Sequence, residues 1–191
     1  MTIQLRLAQD EDIPALDQLM RRAVRFLSVG YYTERQIEIS LAHVFGIDTQ
    51  LIKDGTYFVA ETVEVSESGQ PESRIVGCGG WSRRSTLYGG DQTKQDDDSL
   101  LDPAVDAARI RAFFVDPDFA RRGIGRRIME ACERAAAEAG FTRLELGATL
   151  PGVPLYEAMG YQAIESFEHP MPEGELLPVV RMGKHLPEFL T

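Results

Sequence analysis

The feature that most restricts the fold is the junction RIRAFFVDPDFARRGIGRRIMEACERAAAEAG at residues 109–140. Residues 109–115 are rich in β-branched and aromatic side chains and read as a strand. The turn VDPDFA ends that strand. From Ile124 onward the apolar residues fall at Ile124, Ile128, Met129, Cys132, Ala135, Ala136 and Ala139, one face of a helix of 3.6-residue period. Glu130, Glu133, Arg134 and Glu138 take the opposite face, and Gly140 stands where a left-handed C-terminal cap is usual. Between strand and helix lie Arg121, Arg122, Arg126 and Arg127 with Gly123 and Gly125.

The rest of the chain supplies alternating elements. Residues 3–8 alternate apolar and polar side chains as a half-buried strand does, and Asp10 is expected to cap a helix carrying Ile13, Leu16, Leu19, Met20 and Val24. A second helix is expected over 33–45, with Thr33 as cap, Gln36 at the capping-box position, and Ile37, Leu41 and Val44 facing inward. Residues 56–65 and 74–82 read as an antiparallel hairpin turned by ESGQPE. Further strands are expected at 109–115, 144–148, 161–167 and 177–182, with a short helix at 153–159. The order predicts a single α/β domain over 1–191, with a mixed, mostly antiparallel central sheet flanked by helices. Residues 85–106 break the pattern with few core formers, a double glycine and the run Asp96, Asp97, Asp98, and are expected to form a long exposed loop. The acidic run reads first as solvated surface and second as an attractor for a cationic substrate.

With 191 residues the chain can bury one good core. Its formal net charge of -10 argues against nucleic acid or an anionic membrane as the main partner, because both select a basic face. The positive charge at the helix start is therefore a local device. Cys78 and Cys132 form no CxxC pair and stand near no histidine cluster, so they read as buried thiols, and no metal site is expected. The first residues lack an apolar signal core and no run is long and apolar enough for a membrane helix, so the expectation is a soluble cytoplasmic protein.

Glycines at 123 and 125 leave the backbone uncovered where the helix begins, so its first N–H groups can point outward at an anion. The helix dipole and the four arginines reinforce that cradle, which suits a diphosphate. The spacing excludes two nucleotide motifs. No Gly-Lys-Ser/Thr follows for a Walker loop, and Ile128 occupies the place of the third glycine of a dinucleotide fingerprint.

The segment resembles motif A of the GNAT superfamily of N-acetyltransferases, Gln/Arg-x-x-Gly-x-Gly/Ala, matched here by Ala120, Arg121, Arg122, Gly123, Ile124 and Gly125, with alanine in the first position. RIRAFFVDP looks like the family's fourth strand, and PLYEAMGY resembles its later Leu-Tyr-x-x-x-Gly-Phe/Tyr segment. The element order over almost the whole chain agrees. The resemblance implies that Phe113, Phe114 and Val115 offer main-chain groups to the pantetheine arm of acetyl-CoA, which lies as a pseudo-strand on an open edge. It implies that the pyrophosphate sits over Arg121, Arg122, Gly123, Ile124, Gly125 and Arg126, and that the fourth and fifth strands splay to form a wedge for the acyl group. Tyr156, in the Leu-Tyr segment, is then the residue near the thioester sulfur that protonates or orients the departing thiolate.

Acetyl transfer to an amine also requires loss of a proton. A lysine-like amine with pKa near 10.4 is neutral in fewer than about one molecule in a thousand at pH 7. The family often places Glu or His on the fourth strand, where RIRAFFV offers only arginines. Glu145, Glu34, Glu38 and His169 are candidates, a water chain is an equal alternative, and the base stays unassigned. The asparagine usual after the fifth strand is absent from GATLPGVP. For the acceptor, Phe26, Tyr31, Tyr32 and Glu34 could form a wall suited to an amine or pack between helices, and Arg109 and Arg111, sharing one strand face, suit a carboxylate. The expected activity is direct, acetyl-CoA-dependent acetylation of a primary amine on a small molecule or peptide, without an acyl-cysteine. An idle acyl-CoA-binding module and a longer acyl donor are the alternatives, and a homodimer is a family expectation.

Overall fold

The structure is a computed structural model that describes residues 2–65, 71–93 and 98–187. Seven strands form one sheet in the order β1-β2-β3-β4-β5-β7-β6. They are β1 (Ile3–Leu7), β2 (Tyr57–Val65), β3 (Pro71–Ser82), β4 (Ala108–Val115), β5 (Arg143–Thr149), β6 (Gln162–Pro170) and β7 (Leu176–His185). Every neighbouring pair is antiparallel except β4 with β5. The mixed, mostly antiparallel sheet is the one the element order predicts. Glu67, Ser68, Gly69 and Gln70 of the ESGQPE turn, and Asp96 and Asp97, lie outside the described residues.

Helices cover both faces, and strand alternation decides which residues meet which helix. On one face α4 (Ile124–Glu138) lays Ile124, Ile128, Met129, Cys132 and Ala136 against Ala60, Val76, Ile110, Leu144, Leu146 and Ala148. The short α5 (Val153–Ala158) adds Tyr156 to that cluster. On the other face α1 (Ile13–Leu27), α2 (Glu34–His43) and α3 (Thr49–Lys53) bring Leu16, Leu19, Met20, Ile37, Leu41 and Leu51 onto Tyr57, Val59, Cys78, Leu177 and Val179. The five-residue α3 has no counterpart in the sequence reading, because so short a helix carries no periodicity to detect.

The caps divide. Thr33 and Gln36 form the expected capping box, with Gln36 N donating to Thr33 Oγ1 at 3.1 Å and Thr33 N to Gln36 Oε1 at 2.9 Å. Gly140 follows α4 in the left-handed region, φ 92°. Asp10, by contrast, does not cap α1. It opens a 3-10 turn, Asp10–Asp12, and the helix begins only at Ile13. The carboxylate used here is that of Asp12, which accepts from Gln9 N at 2.8 Å and from Arg6 at 2.6 Å.

The exit from β4 is held by a buried carboxylate. Asp116 accepts from Arg22 Nη1 of α1 at 2.6 Å, from Arg74 Nη2 of β3 at 2.7 Å, and from the backbone N–H of Asp118 at 2.9 Å. Its own N–H donates to Val76 O at 2.9 Å. One short side chain thus ties the strand end to a helix and a neighbouring strand, and fixes the direction in which the next turn leaves the sheet. Asp116→Ala leaves two guanidinium groups and an N–H without that acceptor, and is expected to lower unfolding stability by roughly 1–3 kcal/mol, read as a lower urea midpoint at unchanged slope.

Candidate active site

A cleft opens in the middle of the sheet because β4 and β5 separate. Their parallel ladder consists of Ala108↔Leu144 and Arg109↔Glu145. Past that point β4 pairs only with β3 and β5 only with β7. The cause is a bulge. Between the pairs Gly80↔Arg111 and Cys78↔Phe114 the fourth strand holds one residue more than the third, and Ala112 takes φ 51° to fit it. Tyr57 Oη reaches the Ala112 carbonyl at 3.1 Å and Cys78 Sγ at 3.2 Å, so the bulge is bonded from beneath by a buried side chain of β2.

The bulge also sorts the following residues between the two faces. Phe113 turns toward α5, its ring 6.2 Å from that of Tyr156 at 71°. Phe114 turns the other way, 6.2 Å and edge-on from Phe45. Val115 rejoins the α4 cluster. Side chains of all three therefore pack, while the main chain of 113–115 runs without a partner strand on the β5 side.

Below the strand, the turn Pro117–Phe119 leads into a loop with two left-handed residues, Arg121 at φ 63° and Gly123 at φ 80°. Gly123 is the residue before α4 and meets no atom within 4 Å of its would-be Cβ, so the requirement there is conformational and not steric. Successive N–H groups around such a turn make a concave donor surface. The helix adds to it, since its first internal bond is Arg127 N to Gly123 O, leaving the amides of Ile124, Gly125 and Arg126 directed outward. Arg121, Arg122, Arg126 and Arg127 are exposed around the rim, and no carboxylate lies in the first turn. Gly125 is constrained differently. A Cβ there would stand 2.9 Å from Leu155 Cδ2 and 3.6 Å from the Phe113 ring, so its bare backbone lets α5 approach β4. An anionic group at the loop and an extended chain along β4 both fit this geometry.

Tyr156 lies at the inner end of the cleft, buried against Phe113 and, 6.0 Å away, Tyr161. Burial pushes its hydroxyl pKa well above the ordinary phenol value, with a smaller contribution from the Cys132 thiol. It therefore keeps its proton at neutral pH and can donate it.

The groups named as bases divide clearly. Glu145 is held between Arg109 Nη1 at 2.7 Å and Arg181 Nη2 at 2.6 Å. Glu38 pairs with Arg25 at 2.8 Å, and Glu34 is an exposed first-turn residue of α2. His169 is the exception, with Nδ1 2.7 Å from Tyr88 Oη. The carboxylate-receiving role considered for Arg109 and Arg111 is not available to them: Arg109 is taken by Glu145, and Arg111, almost fully buried, meets Asp48 at 2.9 Å and donates to Gly89 O at 2.9 Å. In the aromatic wall considered for the acceptor, Tyr32 is buried and structural, donating to Pro178 O at 2.7 Å and accepting from Leu150 N at 2.9 Å. Phe26 and Tyr31 remain exposed.

The excursion over 85–106 is not simply exposed in its described first part. Residues 84–89 are half-buried and Gly90 is buried. Gly89 is held by Arg111 of β4, and the Tyr88 ring rests on β5 where a Cβ on Gly147 would lie 3.0 Å from Tyr88 Cδ1. Sequence reasoning missed both residues. The double glycine after Tyr88 reads as loop in either case, and nothing in Gly147 itself foretells the ring that occupies its missing side chain.

The chain belongs to the GNAT acetyltransferase family. The family model described as "Acetyltransferase (GNAT) domain" matches residues 53–163, more than half of the chain. Acetyl-CoA is the acyl donor of this family. Solved structures share the fold at low identity. The GCN5-related N-acetyltransferase from Rhodopseudomonas palustris is 20% identical, with 97% of each chain covered and a TM-score of 0.65. PaiA N-acetyltransferase from Thermoplasma acidophilum, in complex with coenzyme A, is 14% identical over 97% of this chain and 99% of that one, at 0.63. The ribosomal-protein-S18-alanine N-acetyltransferase from Escherichia coli is 16% identical over 100% and 99%, at 0.55. No curated protein matches the sequence. No described helix is long and apolar enough to cross a membrane.

Cys78 and Cys132 are fully buried, and burial pushes the Cys78 thiol up to about 12 and the Cys132 thiol up further. Neither forms thiolate at working pH. Both are expected to stay unreactive toward an aromatic disulfide reagent in the native protein at pH 8 and to react together once the chain is unfolded. Rapid labelling of one thiol in the native state would reopen a covalent acyl-enzyme.

Proposed function

We propose that the chain transfers acetyl from acetyl-CoA directly to a primary amine on a small molecule or peptide, within one domain. The observation that carries this reading is the end of the β4–β5 ladder at Arg109↔Glu145, after which the unpaired stretch of β4 runs on toward the left-handed loop at Arg121 and Gly123. A cofactor with a diphosphate at one end and an extended amide arm at the other matches those two features in order. In this reading the amides of Gly123, Ile124, Gly125 and Arg126, with the side chains of Arg121, Arg122 and Arg126, hold the pyrophosphate. The main chain of Phe113, Phe114 and Val115 binds the arm. The thioester then lies beside Tyr156, whose retained proton suits the leaving thiolate. The structural neighbour in complex with coenzyme A supports this reading.

The amine nitrogen attacks the thioester carbon, the C–N bond forms and the C–S bond breaks, so no acyl-enzyme is needed. That agrees with two inert thiols. Amine acceptors of small-molecule and peptide type both remain within the proposal.

Gly125→Glu drives a carboxylate against Leu155 and into the arm's path, and is expected to abolish acetyl-CoA binding by calorimetry. Retained affinity would remove the cofactor assignment. Tyr156→Phe is expected to leave acetyl-CoA affinity within about threefold and to lower kcat by roughly 10²-fold or more. The assay is release of CoA thiol from acetyl-CoA against polyamines, amino acids and short peptides. Turnover with one class defines the acceptor, and silence across all of them with intact acetyl-CoA binding overturns the amine-acetylation reading.

A further inference from the structure

Two contacts place the segment Tyr88–Gly89 across the open part of the cleft. The Gly89 carbonyl is bonded by Arg111, a β4 residue just before the bulge, and the Tyr88 ring lies on Gly147 in the part of β5 that β4 no longer pairs. Gly147 lies on the opposite face of β5 from Leu146 and Ala148, which meet α4. The cleft is thus floored by α4 and α5 and bordered on its other face by Tyr88 and Gly89. An acyl group delivered along β4 occupies the floor side, so an acceptor must reach it past Tyr88.

At that border stands a polar pair in mostly aromatic surroundings. Tyr88 Oη and His169 Nδ1 are 2.7 Å apart, their rings meet edge to face at 5.4 Å, and Phe167 packs 5.8 Å from Tyr88. The pair joins the loop after β3 to β6, two segments distant in sequence. It is not needed to anchor the loop, which is fastened separately by Arg111 to Gly89, by Asp91 N to Ile47 O at 3.0 Å, and by Gln92 Nε2 to Phe45 O at 2.6 Å.

We propose that Tyr88, backed by His169, takes the proton from the acceptor amine, directly or through one bridging water. This rests on the amine-acetylation reading above and supplies the base it lacks. Tyr88 Oη receives a proton from the ammonium while its own proton passes to His169 Nδ1. The freed amine attacks the thioester, its second proton goes to the departing thiolate by way of Tyr156, and the imidazolium returns its extra proton to water. The step needs no other reactant. Burial raises the Tyr88 hydroxyl and lowers the His169 ring from their ordinary values, so at neutral pH the phenol is protonated and the imidazole is neutral. That is the state in which the relay can start. Among the described residues, Tyr88 is the titratable group that meets His169; Glu168 lies on the other face of β6, and β7 sets the apolar Leu177 opposite.

The test uses the full chain with acetyl-CoA and whichever panel amine the wild type acetylates fastest. With the relay, kcat/KM levels off with rising pH above the titration of His169, well below the pKa of the amine. Tyr88→Phe, which keeps the ring on Gly147, and His169→Gln are each expected to lower kcat/KM at pH 7 by about 10²–10⁴-fold, with acetyl-CoA affinity unchanged. In both, the remaining rate should climb tenfold per pH unit up to the amine pKa, since only free amine then reacts. Wild-type turnover with an unchanged profile in both variants overturns the relay and leaves the acetyltransferase reading standing; no wild-type turnover overturns that reading instead. A readout independent of any acceptor is the imidazole resonance of His169, one of three histidines. It should show the neutral ring protonated on Nε2, with a pKa that rises in Tyr88→Phe. A proton on Nδ1, or an unmoved pKa, rules out transfer from Tyr88 to His169.

Discussion

The separation of β4 from β5 is the constraint on which the rest of the site depends. A continuous sheet would satisfy every main-chain group of β4 with a neighbour and leave no edge in the middle of the molecule. One extra residue, Ala112 in a left-handed conformation, ends that pairing after Arg109. The strain of a non-glycine residue there is of order 1–2 kcal/mol and persists only where the surroundings over-determine it. Tyr57 supplies part of that determination by bonding the Ala112 carbonyl from β2, and Arg111, on the same face of the sheet, supplies more through Asp48 and Gly89.

The two ends of the cleft are fixed by different physics. At the loop end, conformation does the work: Asp116 aims the chain, and left-handed residues at 121 and 123 turn successive amides toward one side. The exposed arginines around this rim keep positive charge local in a chain of net charge -10. At the inner end, burial does the work. It keeps protons on Tyr156 and on both thiols, which removes the cysteines as nucleophiles and, in the proposed reaction, leaves the phenol as the donor. A donor for the leaving group and an acceptor for the incoming amine need opposite character, so they cannot share one environment. The buried α5 side holds Tyr156, while the only half-buried Tyr88 and His169 stand across the cleft.

Much of the scaffold could be read from local pattern. The strand character of β4 and β5, the long apolar face of α4 and the Thr33–Gln36 capping box are properties of a few consecutive residues, and they are found where the sequence put them. The local pattern failed where a side chain had a distant partner to choose. Asp10 has the right chemistry for a cap, yet Asp12 holds the carboxylate position because Arg6 of β1 reaches it. Arg109 and Arg111 alternate correctly on one face but are not free, since Glu145, Asp48 and Gly89 come to them from elements far along the chain.

The sequence by itself determined the α/β class, the strand–loop–helix junction at 109–140 and its family, because periodicity, glycine placement and motif spacing are all short-range quantities. Only the tertiary structure decided where β4 and β5 part, which arginines are already neutralised, and that Tyr88 meets His169 across 81 residues of chain. Those outcomes depend on which strands become neighbours and on what fills the space left by a missing side chain, as at Gly147, and no window of sequence contains both partners.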